Sequence, residues 1–165
     1  MQCLYNLKEI GYQTGAGFMV GSPGQTPEYL AEDFLFLKKL DPQMVGIGPF
    51  IPHHDTPFAG AQSGTADMTV YLLSLLRLML PRVLLPATTA LGTIAEQGRA
   101  RGILAGANVV MPNLSPAKVR KKYELYDNKL HTGSEAAESV RLLQSEMEAI
   151  GYTLVADRGD YKKES

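Results

Sequence analysis

The feature that most constrains this chain is an alternation. A short apolar segment closes in a loop of glycine, proline or hydroxyl residues, a helical pattern follows, and the unit recurs four times. The apolar segments are "TGAGFMVG", "QMVGIG", "RVLLPA" and "ANVVM". After the first, Thr26 supplies an N-cap and Pro27 suits the first helical position. Leu30, Phe34 and Leu37 then form a stripe, and Lys38 and Lys39 fall in the last turn, where the helix dipole favours cations. After the second comes the long loop "FIPHHDTPFAGAQSGTAD", and Thr65 or Asp67 caps a helix over about Met68–Leu80. After the third, a helix starts near Thr88 or Thr89. After the fourth, a short helix follows Ser115 and Pro116, and Ser134 caps a last helix running to Ile150. Ahead of all four units, Leu4, Leu7 and Ile10 at helical spacing, with Gly11 behind them, predict a helix with no strand before it. The chain therefore reads as one that begins in the middle of an architecture.

Strands alternating with helices imply an α/β fold with parallel strands and right-handed crossovers. The pattern alone favours an open sheet. The helix-first start favours the C-terminal half of a (β/α)8 barrel, with about four parallel strands, flanking helices and two unpaired edges. The 165 residues suffice for a single domain with a core of its own. A net charge of −1 leaves no electrostatic footprint for nucleic acid or an anionic membrane. The longest apolar run, Val70–Leu80, is too short to span a bilayer and carries Arg77. No signal-peptide pattern stands at the start, which predicts a cytoplasmic protein. Cys3 is the one cysteine, so neither an intrachain disulfide nor a cysteine cage for a metal can form.

In parallel α/β folds ligands collect at the C-terminal ends of strands. The four loops there, "GSPGQT", "GPFIPHHDTP", "PATT" and "MPN", all mix Pro or Gly with hydroxyl, amide or imidazole groups, which predicts a shared pocket. "GSPGQT" suits a phosphate cradle but lacks the P-loop lysine, and a tight turn ending in the Thr26 cap explains it as well. His53 and His54 invite a metal reading. Neighbours in an extended segment point to opposite sides, however, and no further histidine or acidic pair stands at a completing spacing, so no metal ligand is expected. Thr88 and Thr89 can cap a helix or hydrogen-bond a ligand. Met111 can pack on a flat ring, and Tyr123 and Tyr126 share a face if their segment is helical.

"GYQTGAGFMVGSPGQT", "MVGIGPFIPHHDTP", "PATTALGT" and "GANVVMPNLSP", taken in order, resemble the C-terminal half of a radical S-adenosylmethionine (SAM) enzyme. The nearest kin are the [FeFe]-hydrogenase maturation enzyme and biotin synthase. The resemblance covers nearly the whole chain and extends, from about Tyr71 to Asp157, over the region associated with biotin and thiamin synthesis. It implies a (β/α)8 barrel, SAM as cofactor, and a [4Fe–4S] cluster held by a CX3CX2C loop, where reductive cleavage of SAM yields a 5′-deoxyadenosyl radical. That loop is absent here and would have to lie upstream of Met1, so this chain is not expected to cleave SAM alone. The resemblance assigns Gly17, Met19, Gly21, Met44 and Ile51 to the SAM side. It assigns Thr88, Thr89, Met111, Tyr123 and Tyr126 to a small-molecule substrate, and no residue to catalysis. It implies an N-terminal half-barrel as partner.

Two other readings stand beside this one. The first is a stand-alone half-barrel that binds a small molecule, lacks catalysis and dimerises through its open edges. The second is a phosphate-binding α/β enzyme built on "GSPGQT".

Overall fold

The computed structural model describes residues 1–120, 122, 125–129 and 136–161. In chain order the elements are α1 (Gln2–Ile10), β1 (Gly15–Val20), α2 (Pro27–Leu40), β2 (Met44–Pro49), α3 (Ala66–Met79), α4 (Thr89–Ile94), α5 (Gly98–Leu104), α6 (Ala117–Arg120) and α7 (Ala136–Glu148). Threonines start three of the helices. Thr26, Thr65 and Thr88 accept from the backbone N–H groups of Tyr29, Met68 and Leu91. Thr65 therefore caps α3, and Asp67 sits in its first turn. Ser134, the expected cap of α7, lies outside the described residues.

β1 and β2 run parallel, in register from Gly15 opposite Met44 to Val20 opposite Pro49. The other two expected strands do not form as regular strands among the described residues. Residues 82–87 lie beside β2 through one parallel bridge, Met44 to Leu84. Val45 N–H donates to the Leu84 carbonyl at 2.9 Å, and Leu84 N–H to Gln43 at 2.9 Å. Two residues on, Pro86 has no N–H to give and the ladder stops. Residues 107–110 join through a second parallel bridge, Pro86 to Val109. There the Asn108 side chain takes the Leu85 N–H at 2.8 Å, so a side chain replaces a rung. The parallel arrangement is as expected, and two strands stand where four were expected.

One face of this row carries the core. Val20, Val45 and Ile47 are buried against Leu72, Leu73 and Leu76 of α3 and Leu37 of α2, with Ala16 and Phe18 packed alongside. A second cluster, Ala87, Ile103, Ala107 and Met147, joins residues 82–110 to α7. Arg99 of α5 pairs with Glu146 of α7 at 3.3 Å across the same junction. α1 buries no residue and is held instead by Lys8, whose ammonium donates to the Leu40 and Asp41 carbonyls at the end of α2. That contact satisfies carbonyls a helix end leaves open and places a cation at the negative end of its dipole. The single helix expected from Thr88 onward is two, α4 and α5. Gln97 takes a left-handed φ of 56° between them, and a Cβ on Gly98 would fall 2.1 Å from the Leu91 carbonyl oxygen. No described helix is long and apolar enough to cross a membrane.

The opposite face of β1 and β2 bears Gly15, Gly17, Met19, Met44, Gly46 and Gly48. None of these belongs to the core clusters. Two of the glycines are required by contact: a Cβ on Gly17 would lie 1.8 Å from the Gly46 carbonyl oxygen, and one on Gly48 would lie 2.7 Å from Thr88 Oγ1. A Cβ on Gly46 would meet nothing within 4 Å. Gly17→Ala should therefore cost at least about 1–3 kcal/mol as the strands are forced apart. Gly46→Ala should leave the denaturant midpoint within experimental error of the parent. Equal midpoints for the two variants in chemical denaturation would contradict this packing.

Candidate functional site

The ends of the first three apolar segments lie together: Gly21 abuts Gly64, Phe50 N–H bonds to Val20, and Thr88 faces Gly48. After β1, Gln25 N–H donates to the Ser22 carbonyl at 2.9 Å, with Pro23 second and Gly24, at φ 78°, third. These are the requirements of a type II turn. The Gln25 side chain then doubles back on the strand end. Its amide donates to the Met19 carbonyl at 2.8 Å and accepts from Gly21 N–H at 2.7 Å. The tight-turn reading of "GSPGQT" holds, and one N–H that a phosphate cradle would use is already engaged. Gly21 has φ 80° and abuts Gly64, where a Cβ on Gly21 would lie 2.5 Å from the Gly64 Cα.

The long loop after β2 is clamped at its base. Phe50 N–H donates to Val20, and Gly64 N–H donates to Phe50, at 2.8 and 2.9 Å. Phe58 packs edge-to-face on Phe50 at 6.1 Å. A loop whose ends meet and whose own side chains fill it is an Ω-type loop. His53 opens a turn inside it: the Thr56 N–H and hydroxyl both donate to the His53 carbonyl. Because this backbone turns, the alternation expected of an extended segment does not apply. The two imidazoles stack with centroids 4.4 Å apart and planes at 21°. The separation of His53 from His54 onto opposite sides is thus corrected.

Asp127, remote in sequence, completes the group. Its N–H donates to the Pro52 carbonyl at 3.1 Å, and its carboxylate meets His54 Nδ1 at 2.7 Å. Beside it, the Tyr126 hydroxyl shares a hydrogen bond with Thr93 of α4, and burial pushes that phenol up from its ordinary range. The segment 125–129 therefore reaches both the loop after β2 and the helix after residues 82–87.

Against this geometry the predicted residues divide. Gly17, Met19 and Met44 share the open face, Gly21 sits at its upper edge, and Ile51 follows β2, half-buried. Thr88 reaches the same face through its contact with Gly48 and caps α4 with its oxygen. Thr89 begins α4, and its carbonyl accepts from the Thr93 hydroxyl at 3.0 Å. Met111 is 53 % exposed beyond the last bridge. Tyr126 is drawn in, and Tyr123 lies outside the described residues. Gln25, Thr93 and Asp127 escaped the sequence reading. Gln25 directly follows the glycines of its turn, and nothing local to Thr93 or Asp127 marks a contact made across the fold.

A cleft of about 710 Å³ lies elsewhere, at the N-terminal ends of the third and fourth segments. Leu84, Val109, Tyr152, Leu154 and Tyr161 line it, and none of the predicted residues does. Its far wall is the tail after α7, pinned by Gln13 to Gly159 and Tyr161. Arg82, Asp157 and Asp160 also line the cleft, but they lie away from the strand ends where ligands collect in parallel α/β folds, so position, not volume, marks the candidate site. An iron–sulfur cluster does not fit this chain's donors, since Cys3 is its only thiol and lies exposed on α1. The glycine face carries two methionines, Met19 and Met44, beside its glycines.

The hydrogen bond from His54 holds the Asp127 carboxyl below its ordinary range. A lowered folded-state value stabilises the contact above the ordinary carboxylate range, and the stabilisation is lost as pH falls through the lowered value. His54→Ala should move the Asp127 midpoint up toward that ordinary range, read from the side-chain carboxyl shift in an NMR titration. An unmoved midpoint would show that the imidazole is not its cause.

No protein-family model matches the chain. Among curated proteins, the [FeFe] hydrogenase maturase subunit HydE of Thermotoga maritima is 45% identical over 163 residues, 99% of this chain and 47% of that protein. The 3-methylornithine synthase of Methanosarcina barkeri is 30% identical over 133 residues, 81% of this chain and 37% of its own length. The biotin synthase of Corynebacterium jeikeium is 32% identical over 106 residues, 64% of this chain and 29% of its own. The chain thus spans less than half the length of each of these relatives. Through these homologues the chain belongs to the radical SAM superfamily, where it corresponds to the C-terminal part of a hydrogenase-maturase and biotin-synthase-like enzyme.

Proposed function

We propose that this chain forms one wall of a (β/α)8 barrel, and that its open face receives SAM beside a small-molecule substrate. The observation that carries the reading is the composition of that face. Parallel sheets are ordinarily covered on both sides by large apolar residues. Here one side is, while the other presents four glycines and two methionines. A closed barrel with such a wall would enclose space instead of a packed interior. Gly17 and Gly46 form the floor, and Met19 and Met44 border it with polarisable thioethers suited to a purine ring. Gly21 and Ile51 mark the rim. Thr88, its oxygen engaged as a cap, keeps its hydroxyl hydrogen to donate to a substrate. Thr89, Met111 and Tyr126 complete that side, and the family resemblance adds Tyr123. When bound with a [4Fe–4S] cluster, SAM supplies radical chemistry, and the cluster's ligands must come from outside this chain.

Calorimetric titration of S-adenosylhomocysteine into the protein reconstituted with the remaining half of the Thermotoga maturase tests this. Saturable binding is expected, and Gly46→Val, which fills the floor without touching the core, should weaken it about tenfold or more. No saturable binding, or a Gly46→Val protein that binds like the parent, would overturn the reading. A defined dimer that binds the ligand with no second half would favour the stand-alone module. Thr88→Val should in addition lose about 1 kcal/mol of stability with its cap, whereas Thr89→Val should lose none. Equal denaturant midpoints for these two variants would refute the capping assignment.

A further inference from the structure

We propose that His53, His54 and Asp127 form a binding site for a divalent transition-metal ion of the zinc type. One ligand atom from each lies within 4.8 Å of the other two. The rings stack, with one nitrogen of each within 4.8 Å of the other, where an extended backbone would have parted them. The site is held from both ends of the sequence: the turn at His53 fixes the imidazoles, and the Asp127 N–H bond to Pro52 fixes the carboxylate. Asp55 adds a further oxygen, with Oδ2 3.4 Å from His54 Nε2.

The donors are two neutral nitrogens and a carboxylate oxygen. That set suits zinc and its neighbours, while magnesium and calcium prefer oxygen alone. Ligand atoms around a tetrahedral ion with bonds of about 2.0 Å lie roughly 3.3 Å apart. Small rotations of these side chains reach that spacing, and His54 and Asp55 are exposed enough to make them. His53 Nδ1 accepts the Asp55 N–H at 3.1 Å, a hydrogen bond that an ion at Nδ1 would displace. Asp127 either ligates directly or, through its bond to His54 Nδ1, sets the tautomer that turns the Nε2 lone pair to the ion. In both cases the ion would pin segment 125–129 to the loop after β2.

The test is zinc alone, competed against a chromophoric chelator, on the metal-stripped full chain. One ion per chain is expected, with affinity lowered about tenfold or more in His53→Ala, His54→Ala and Asp127→Asn. His131→Ala and Cys3→Ser should bind as the parent does. Cobalt should show ligand-field bands with no thiolate charge-transfer band. Absence of stoichiometric binding, retention of affinity in the His53→Ala/His54→Ala double variant, loss of it in Cys3→Ser or His131→Ala, or a thiolate band would each overturn the proposal. Far-ultraviolet circular dichroism of every variant separates a lost ligand from a lost fold.

Discussion

The close passage of β1 across β2 is the constraint on which the rest of the structure depends. At Gly17 the β1 backbone meets the Gly46 carbonyl with no room for a Cβ on Gly17. That approach sets the register, and the register puts Val20, Val45 and Ile47 on the core side. A slip by one residue would turn every side chain of β1 to the wrong face. The same approach recurs at the strand ends, where Gly64 lies against the Val20 carbonyl and closes the base of the long loop. Backbone contact at glycines thus orders the sheet and seats the loop that carries the imidazoles.

Much of this was legible in the residues. Thr26, Thr65 and Thr88 announce helix starts because a hydroxyl at that position acts locally, within three residues. The position of α1 and the turn in "GSPGQT" were readable for the same reason. What failed was non-local. Pro86 and Asn108 interrupt hydrogen bonding between neighbours far apart in sequence, and no apolar pattern records that. The break between α4 and α5 depends on how closely Gly98 approaches Leu91, again a matter of packing.

The candidate site repeats the lesson. The glycines of the open face were noticed, but the reason for Gly17 is a carbonyl of another strand. The alternation of an extended chain would part the two histidines, and the Thr56 contacts to the His53 carbonyl show why that alternation fails there. Asp127 enters only because segment 125–129 folds back onto Pro52. Gln25 shows the opposite case: it lies next to the residues that were singled out, and its amide occupies the backbone groups that a ligand at Met19 and Gly21 would otherwise meet first.

The four glycines of one surface are not equivalent, and this bears on how such a surface can diverge. Gly17 and Gly48 are fixed by what touches them, whereas a methyl at Gly15 would find only ordinary contact with Met44, and one at Gly46 would find none. Mutational drift at the latter two positions would change the shape offered to a guest molecule methyl by methyl while the architecture stayed untouched. Selectivity and foldability are written in different letters of the same short word, and a lineage can respell one without misspelling the other.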